Sequence, residues 1–120
     1  MEVVKFVNHL FESKEQAHVF HLQSKSHSEH LALQEYYENM LENIDLLVEV
    51  YQGQYEILED YDVIKANDID KSDVIKYFER LGKFVSDNRE ETFKDAHLQA
   101  IIDDIQILIY KTLYKLKYLK

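Results

Sequence analysis

The sequence predicts an all-α protein: one domain over residues 1–120, folded as a four-helix bundle with a single longer crossover between helices two and three. Three observations carry that expectation. Helix breakers are almost missing, since there is no proline and only two glycines, Gly53 and Gly82; long helices tolerate few of either. Apolar residues recur every three or four positions over most of the chain, which gathers them on one face of a helix. A length of 120 residues with 46% hydrophobic content allows one modest core.

Segment one spans about Val3 to Ser24. Val3, Phe6, Leu10, Ala17 and Phe20 form its stripe, with Val4, Val7 and Phe11 beside it. Segment two begins near Ser28 and continues past Tyr55, with Leu33, Tyr37, Met40, Ile44, Leu47, Tyr51 and Leu58 as its apolar face. Ser26 or Ser28 can cap it, and Glu29 places negative charge in its first turn. From Glu59 to Lys71 the periodicity lapses into Asp and Asn, which predicts a connection. Ser72 or Asp70 then caps segment three, whose face is Val74, Tyr77, Phe78, Leu81 and Val85. Ser86 to Lys94 is polar and reads as a second break. Segment four starts near Asp95 and runs through Leu98, Ile101, Ile102, Ile105, Leu108, Ile109, Leu113, Leu116 and Leu119.

The formal net charge is −9, which argues against a phosphate-backbone binder. The one basic cluster, Lys111, Lys115, Lys117 and Lys120, falls in the last turns of a helix, where cations complement the dipole. Cysteine is absent, which removes disulfides, thiolate metal sites and thiol catalysis. The longest apolar run is Ile107 to Tyr110, far short of the roughly 20 residues a membrane span requires. The start lacks a basic region followed by an apolar one, so the expected location is the cytoplasm.

Chemistry concentrates in the histidines. His18, His21, His27 and His30 crowd together, while His9 and His97 stand apart in expected surface or packing roles. With no thiolate available, imidazole and carboxylate are the ligands that iron or zinc would take. His18 and His21 flank the apolar stripe of segment one. On segment two, Asp45 and Glu49 are an i, i+4 pair with their carboxylates one turn apart. His30 lies on the same broad face, yet fifteen residues up the helix, about 22 Å away. One ion cannot bridge that gap, because metal–ligand bonds are about 2.0–2.2 Å long. A shared site therefore needs a second chain, and an antiparallel two-fold dimer would bring His30 of one copy to Asp45 and Glu49 of the other.

At these residues the chain resembles the Dps miniferritins, a ferritin-like family. His18, His30, Asp45 and Glu49, with gaps of twelve, fifteen and four, are similar to that family's ligand set. So are Glu29-His30-Leu31-Ala32-Leu33-Gln34-Glu35-Tyr36-Tyr37 and Ile44-Asp45-Leu46-Leu47-Val48-Glu49. The resemblance covers roughly residues 1–58. It implies a ferritin-like bundle, a homo-oligomer up to a hollow dodecamer, metal sites between subunits, and ferrous iron oxidised by peroxide or oxygen. Iron is the implied metal, with zinc or manganese as alternatives. His21 competes with His18 for the first ligand position. Gln34 stands where the family has an acidic ligand, and the family's basic DNA-binding tail is absent, so DNA is not an expected partner. The chain also resembles compact phage-encoded relatives, which would place it in the host cytoplasm.

Two other readings stay open. The chain could be a non-enzymatic helical bundle, a phage structural or host-interaction protein with a degenerate metal site. Glu15-Gln16-Ala17-His18 also fits the Glu-x-x-His pair of larger di-iron bundles, but a second such pair is not found. The sequence holds no glycine-rich phosphate loop and no nucleophilic serine or cysteine arrangement.

Overall fold

The computed structural model describes residues 1–66 and 73–119. It contains four α-helices, α1 (Val3–Gln23), α2 (His27–Gln54), α3 (Val74–Thr92) and α4 (Ala96–Tyr118). The expected helix boundaries hold to within a residue or two at most ends. Ser26 caps α2, its hydroxyl accepting the Glu29 backbone N–H at 3.3 Å, which satisfies one of the free first-turn donors. The Ser72 and Asp70 caps expected for α3 lie outside the described residues. Asp73 is the residue that precedes that helix.

Two boundaries differ from expectation: α2 ends at Gln54 rather than continuing past Tyr55, which leaves Leu58 outside the helix, and α3 runs further than its apolar stripe. Ser86 to Thr92 is helical, and the break before α4 is confined to Phe93, Lys94 and Asp95. The apolar period fails there because Arg89 replaces a hydrophobic residue on the face toward α4. Its guanidinium donates to the Gln99 side chain and carbonyl, to Gln106 and to Asp103. Asn88 and Thr92 return hydrogen bonds to carbonyls one turn earlier. A polar network replaces apolar packing, so a search for apolar periodicity misses the last two turns.

The sides of the bundle are α1–α2, α2–α4, α4–α3 and α3–α1. Contacts near the ends set the directions. Phe6, at the start of α1, meets Phe84 and Phe93 at the end of α3. Tyr51, near the end of α2, also meets Phe93, and Ser28 at the start of α2 donates to the carbonyl of Leu119 beyond α4. Hence α1 and α4 run one way and α2 and α3 the other. The end of α2 and the start of α3 therefore lie at opposite ends of the bundle, so the connection between these two helices is the one crossover. In the described part that follows α2, Tyr61 packs edge-on against Phe11 of α1.

The core combines all four stripes, with Phe6, Leu10, Phe20, Leu33, Met40, Ile44, Phe78 and Ile102 fully buried. Tyr36, rather than the predicted Tyr37, is the buried tyrosine of α2. Ser13 donates to the Leu10 carbonyl at 2.7 Å, so the Tyr36 hydroxyl donates to Ser13 Oγ, also at 2.7 Å. Burial pushes the Tyr36 phenol far above its ordinary range. Ion pairs tie the outer edges. Lys111 and Lys115 of α4 both reach Glu35 of α2, and the Lys115 hydrogen bond holds the Glu35 carboxyl below its usual range. Lys117 reaches Glu79 of α3. Three of the four clustered lysines are thus interhelical struts.

Candidate metal centre

The short extended link between α1 and α2 brings His18, His21 and His30 to one end of the bundle. The His21 and His30 rings stack with centroids 3.6 Å apart. His21 Nδ1 lies 2.7 Å from the His30 carbonyl, and His30 Nδ1 lies 2.9 Å from the His21 carbonyl. A carbonyl only accepts, so each Nδ1 carries a proton and each neutral ring keeps its lone pair on Nε2. Metal-binding histidines are oriented by the same kind of N–H to carbonyl bond. The short link, residues 24–26, forces these two positions into register across the helix pair.

His18 lies 6.0 Å from His21 between ring centroids. It stacks on Tyr37 at 4.3 Å and is exposed, whereas His21 is buried. Only His21 borders the core as its place on the helix predicts; His18 faces outward against Tyr37. His27 is exposed. His9 stacks on Phe84 at 4.0 Å, and His97 pairs with the Gln54 side chain, so each packs against a neighbour far from the cluster.

Asp45 and Glu49 are exposed on the outward side of α2, well down the helix from His30. Gln34 donates to Glu38 at 2.9 Å. Glu15 is paired with Lys14. Among the described residues, no group of three or more His, Cys, Asp and Glu side chains sits close enough to hold one ion. Within one chain the donors thus fall into an imidazole cluster, in which His21 is buried, and a separate, exposed carboxylate pair.

Sequence reasoning did not find the mutual His21–His30 bonds. The signal available was their spacing of nine residues around a short serine-rich link, which places two histidines opposite each other in a helical hairpin. It also missed a strut at the other end of the bundle. There Tyr55 and Gln54 both donate to the Asp95 carboxylate. That contact lowers the Asp95 carboxyl and raises the Tyr55 phenol. A cleft of about 260 Å³ between α1 and α3, lined by His9, Glu12, Lys65 and Phe84 among others, includes none of the residues nominated as ligands.

A family model matches residues 21–116, most of the chain. The chain belongs to DUF5856, a family of unknown function. The DUF5856 match takes in His21, His30, Asp45 and Glu49 and starts after His18. No curated protein and no solved structure matches the chain. Among the described residues, no helix is long and apolar enough to cross a membrane.

Proposed function

We propose that this protein assembles through the outer face of α2 and binds and oxidises ferrous iron between subunits, in the manner of the Dps-like proteins it resembles. The observation that carries this reading is the state of the His21–His30 pair. Both Nδ1 atoms are bound to carbonyls, so the free lone pairs are those of Nε2. Asp45 is exposed about 22 Å along α2 from His30, and Glu49 is exposed one turn further on. An antiparallel α2–α2 contact would bring the imidazoles of one copy toward the carboxylates of the other.

Iron is the substrate in this scheme. His21 or His18, with His30, would supply nitrogen donors. The partner's Asp45 and Glu49 would supply carboxylate donors, with Glu49 able to bridge two ions. Each of two ferrous ions gives up one electron, and peroxide takes up both electrons with two protons to leave as two waters; oxygen is the alternative acceptor. Exposed acidic groups favour cation uptake. The cytoplasm, including that of a phage host, suits the absence of cysteine. DNA is disfavoured as a partner by the net charge of −9.

A second reading has an observation of its own. The stacked His21–His30 pair is self-satisfied within one chain, as a purely structural clasp would be, and it fits a non-enzymatic bundle. The test measures particle mass in solution and ferrous oxidation by peroxide, for wild type and for Asp45→Ala with Glu49→Ala. A large assembly that oxidises iron and loses at least tenfold in rate on the double substitution supports the first reading. A monomer with no iron oxidation above buffer overturns it. An assembly indifferent to the substitution favours the second.

A further inference from the structure

The outward face of α4 carries a seam of exposed residues at three- and four-residue spacing that no described element of the chain covers. Ile107 points straight out and is 61% exposed, while Tyr114 and Tyr118 continue the line at 56% and 69%. Toward the start of α4 the same line passes through two exposed alanines, Ala100 and Ala96. This 3–4 repeat is the pattern of a helix that expects another helix. The seam covers about 33 Å.

Its charge is ordered along the helix. Asp103 and Asp104 lie on one side of Ile107, and Lys111 lies on the other, all exposed. Bulk is ordered the same way, with alanines in the first half and tyrosines in the second. We infer that α4 pairs with α4 of a second copy, antiparallel, about a two-fold axis at Ile107. In that register Ile107 meets its own counterpart, and Ala100 and Ala96 receive the partner's Tyr114 and the partner's Tyr118. A two-fold axis across the helices keeps each flank facing the same flank of the other copy. On the flank toward α2, Asp104 therefore meets the partner's Lys111. On the flank toward α3, Asp103 meets the hydroxyl of the partner's Tyr110.

A parallel pairing would set aspartate against aspartate and tyrosine against tyrosine, so charge and size both select the antiparallel arrangement. Internal bonds do not close the seam. Lys111 contacts Glu35 at 3.5 Å with 58% of its side chain still open, and Asp103 meets Arg89 with 62% open. The α2 face is instead acidic, with Glu38, Glu42, Asp45 and Glu49 exposed along it, and pairing it with a second copy needs a cation between them. The α4 pairing needs none, so it stands independently of the iron reading.

The experiment is sedimentation of the full chain at about 1–200 μM in the presence of a chelator. The expected result is a reversible monomer–dimer equilibrium. Ile107→Glu and Asp104→Lys should each raise the dissociation constant by about tenfold or more, with unchanged helicity by circular dichroism. Asp104→Lys with Lys111→Asp should restore it. Since the chain has no cysteine, Ile107→Cys gives one thiol on the axis and should form a disulfide dimer under mild oxidation, whereas Asp45→Cys should not. A wild-type monomer throughout, a dimer unmoved by Ile107→Glu, or cross-linking through Asp45→Cys alone would each overturn the proposal.

Discussion

His21 and His30 hold each other's backbone: each ring donates from Nδ1 to the other residue's carbonyl, and the two rings stack at 3.6 Å. The two helices are thereby tied across the hairpin by a reciprocal pair of side-chain-to-backbone bonds. Replacing either ring by alanine removes one of these bonds and the stack together. His21→Ala and His30→Ala should each destabilise the protein by about 1–2 kcal/mol. The double variant should fall short of their sum by at least about 0.5 kcal/mol, since residues in contact couple. His18→Ala, at an exposed position, should stay within about 0.5 kcal/mol of wild type. Urea denaturation of the four proteins gives the cycle, and additive energies would contradict the clasp.

Ser13 and Tyr36 form a buried hydroxyl pair in the centre of the bundle. Ser13→Ala strands the Tyr36 O–H in an apolar core and should cost about 1–3 kcal/mol. Tyr36→Phe leaves Ser13 still bonded to Leu10 and should cost about 1 kcal/mol. The double variant removes both polar groups and should be no less stable than Ser13→Ala alone. Thermal melts of the three variants test this, and a double variant clearly below Ser13→Ala would contradict it.

Arg89 joins α3 to α4 through four acceptors while its side chain is 16% exposed. Arg89→Ala should lower stability by about 2 kcal/mol, because charge-assisted bonds are lost and the Gln99 and Gln106 acceptors are left behind. For a domain of this size that is roughly 8 °C in Tm. Arg89→Lys should recover little of it, since an ammonium cannot reproduce the fork of the guanidinium. Calorimetry of the three proteins is the check.

Glu35 gives a pH dependence of known sign. Its folded carboxyl is held below its ordinary value of 4.5, first by the Lys115 hydrogen bond. Its stabilising contribution is therefore present above that value and is lost as pH falls through the lowered folded one. Because Glu35 is only partly buried, the effect should be below about 1 kcal/mol. Glu35→Gln should flatten the stability profile between about pH 5 and pH 3 and change little at pH 7 beyond that amount. An unaltered acid limb would show that the pair contributes nothing.

Gly53 sits near the end of α2 with open space where a Cβ would stand. Gly53→Ala should stabilise by about 0.5 kcal/mol through helix propensity. Gly82→Ala should gain less or lose, because its Cβ would lie 3.1 Å from the Tyr110 ring. A melt of each variant orders them.

The sequence by itself determined the four helices, most residues of the core and the one long connection. Burying an apolar face imposes a repeat that can be read residue by residue, from Phe6 and Leu10 through Ile102 and Ile105. It also determined that His30 and the Asp45/Glu49 pair cannot serve one ion within one chain, since helix rise alone separates them. Only the tertiary structure decided what depends on neighbours distant in sequence. It carried α3 through its polar last turns, where Arg89 bonds to α4 rather than packing. It also turned three of the four clustered lysines into struts to Glu35 and Glu79. Likewise, it set His21 against His30, because a hydrogen bond across a hairpin depends on how two helices rotate about each other. That rotation is fixed by the packing of the whole core and leaves no period in the sequence.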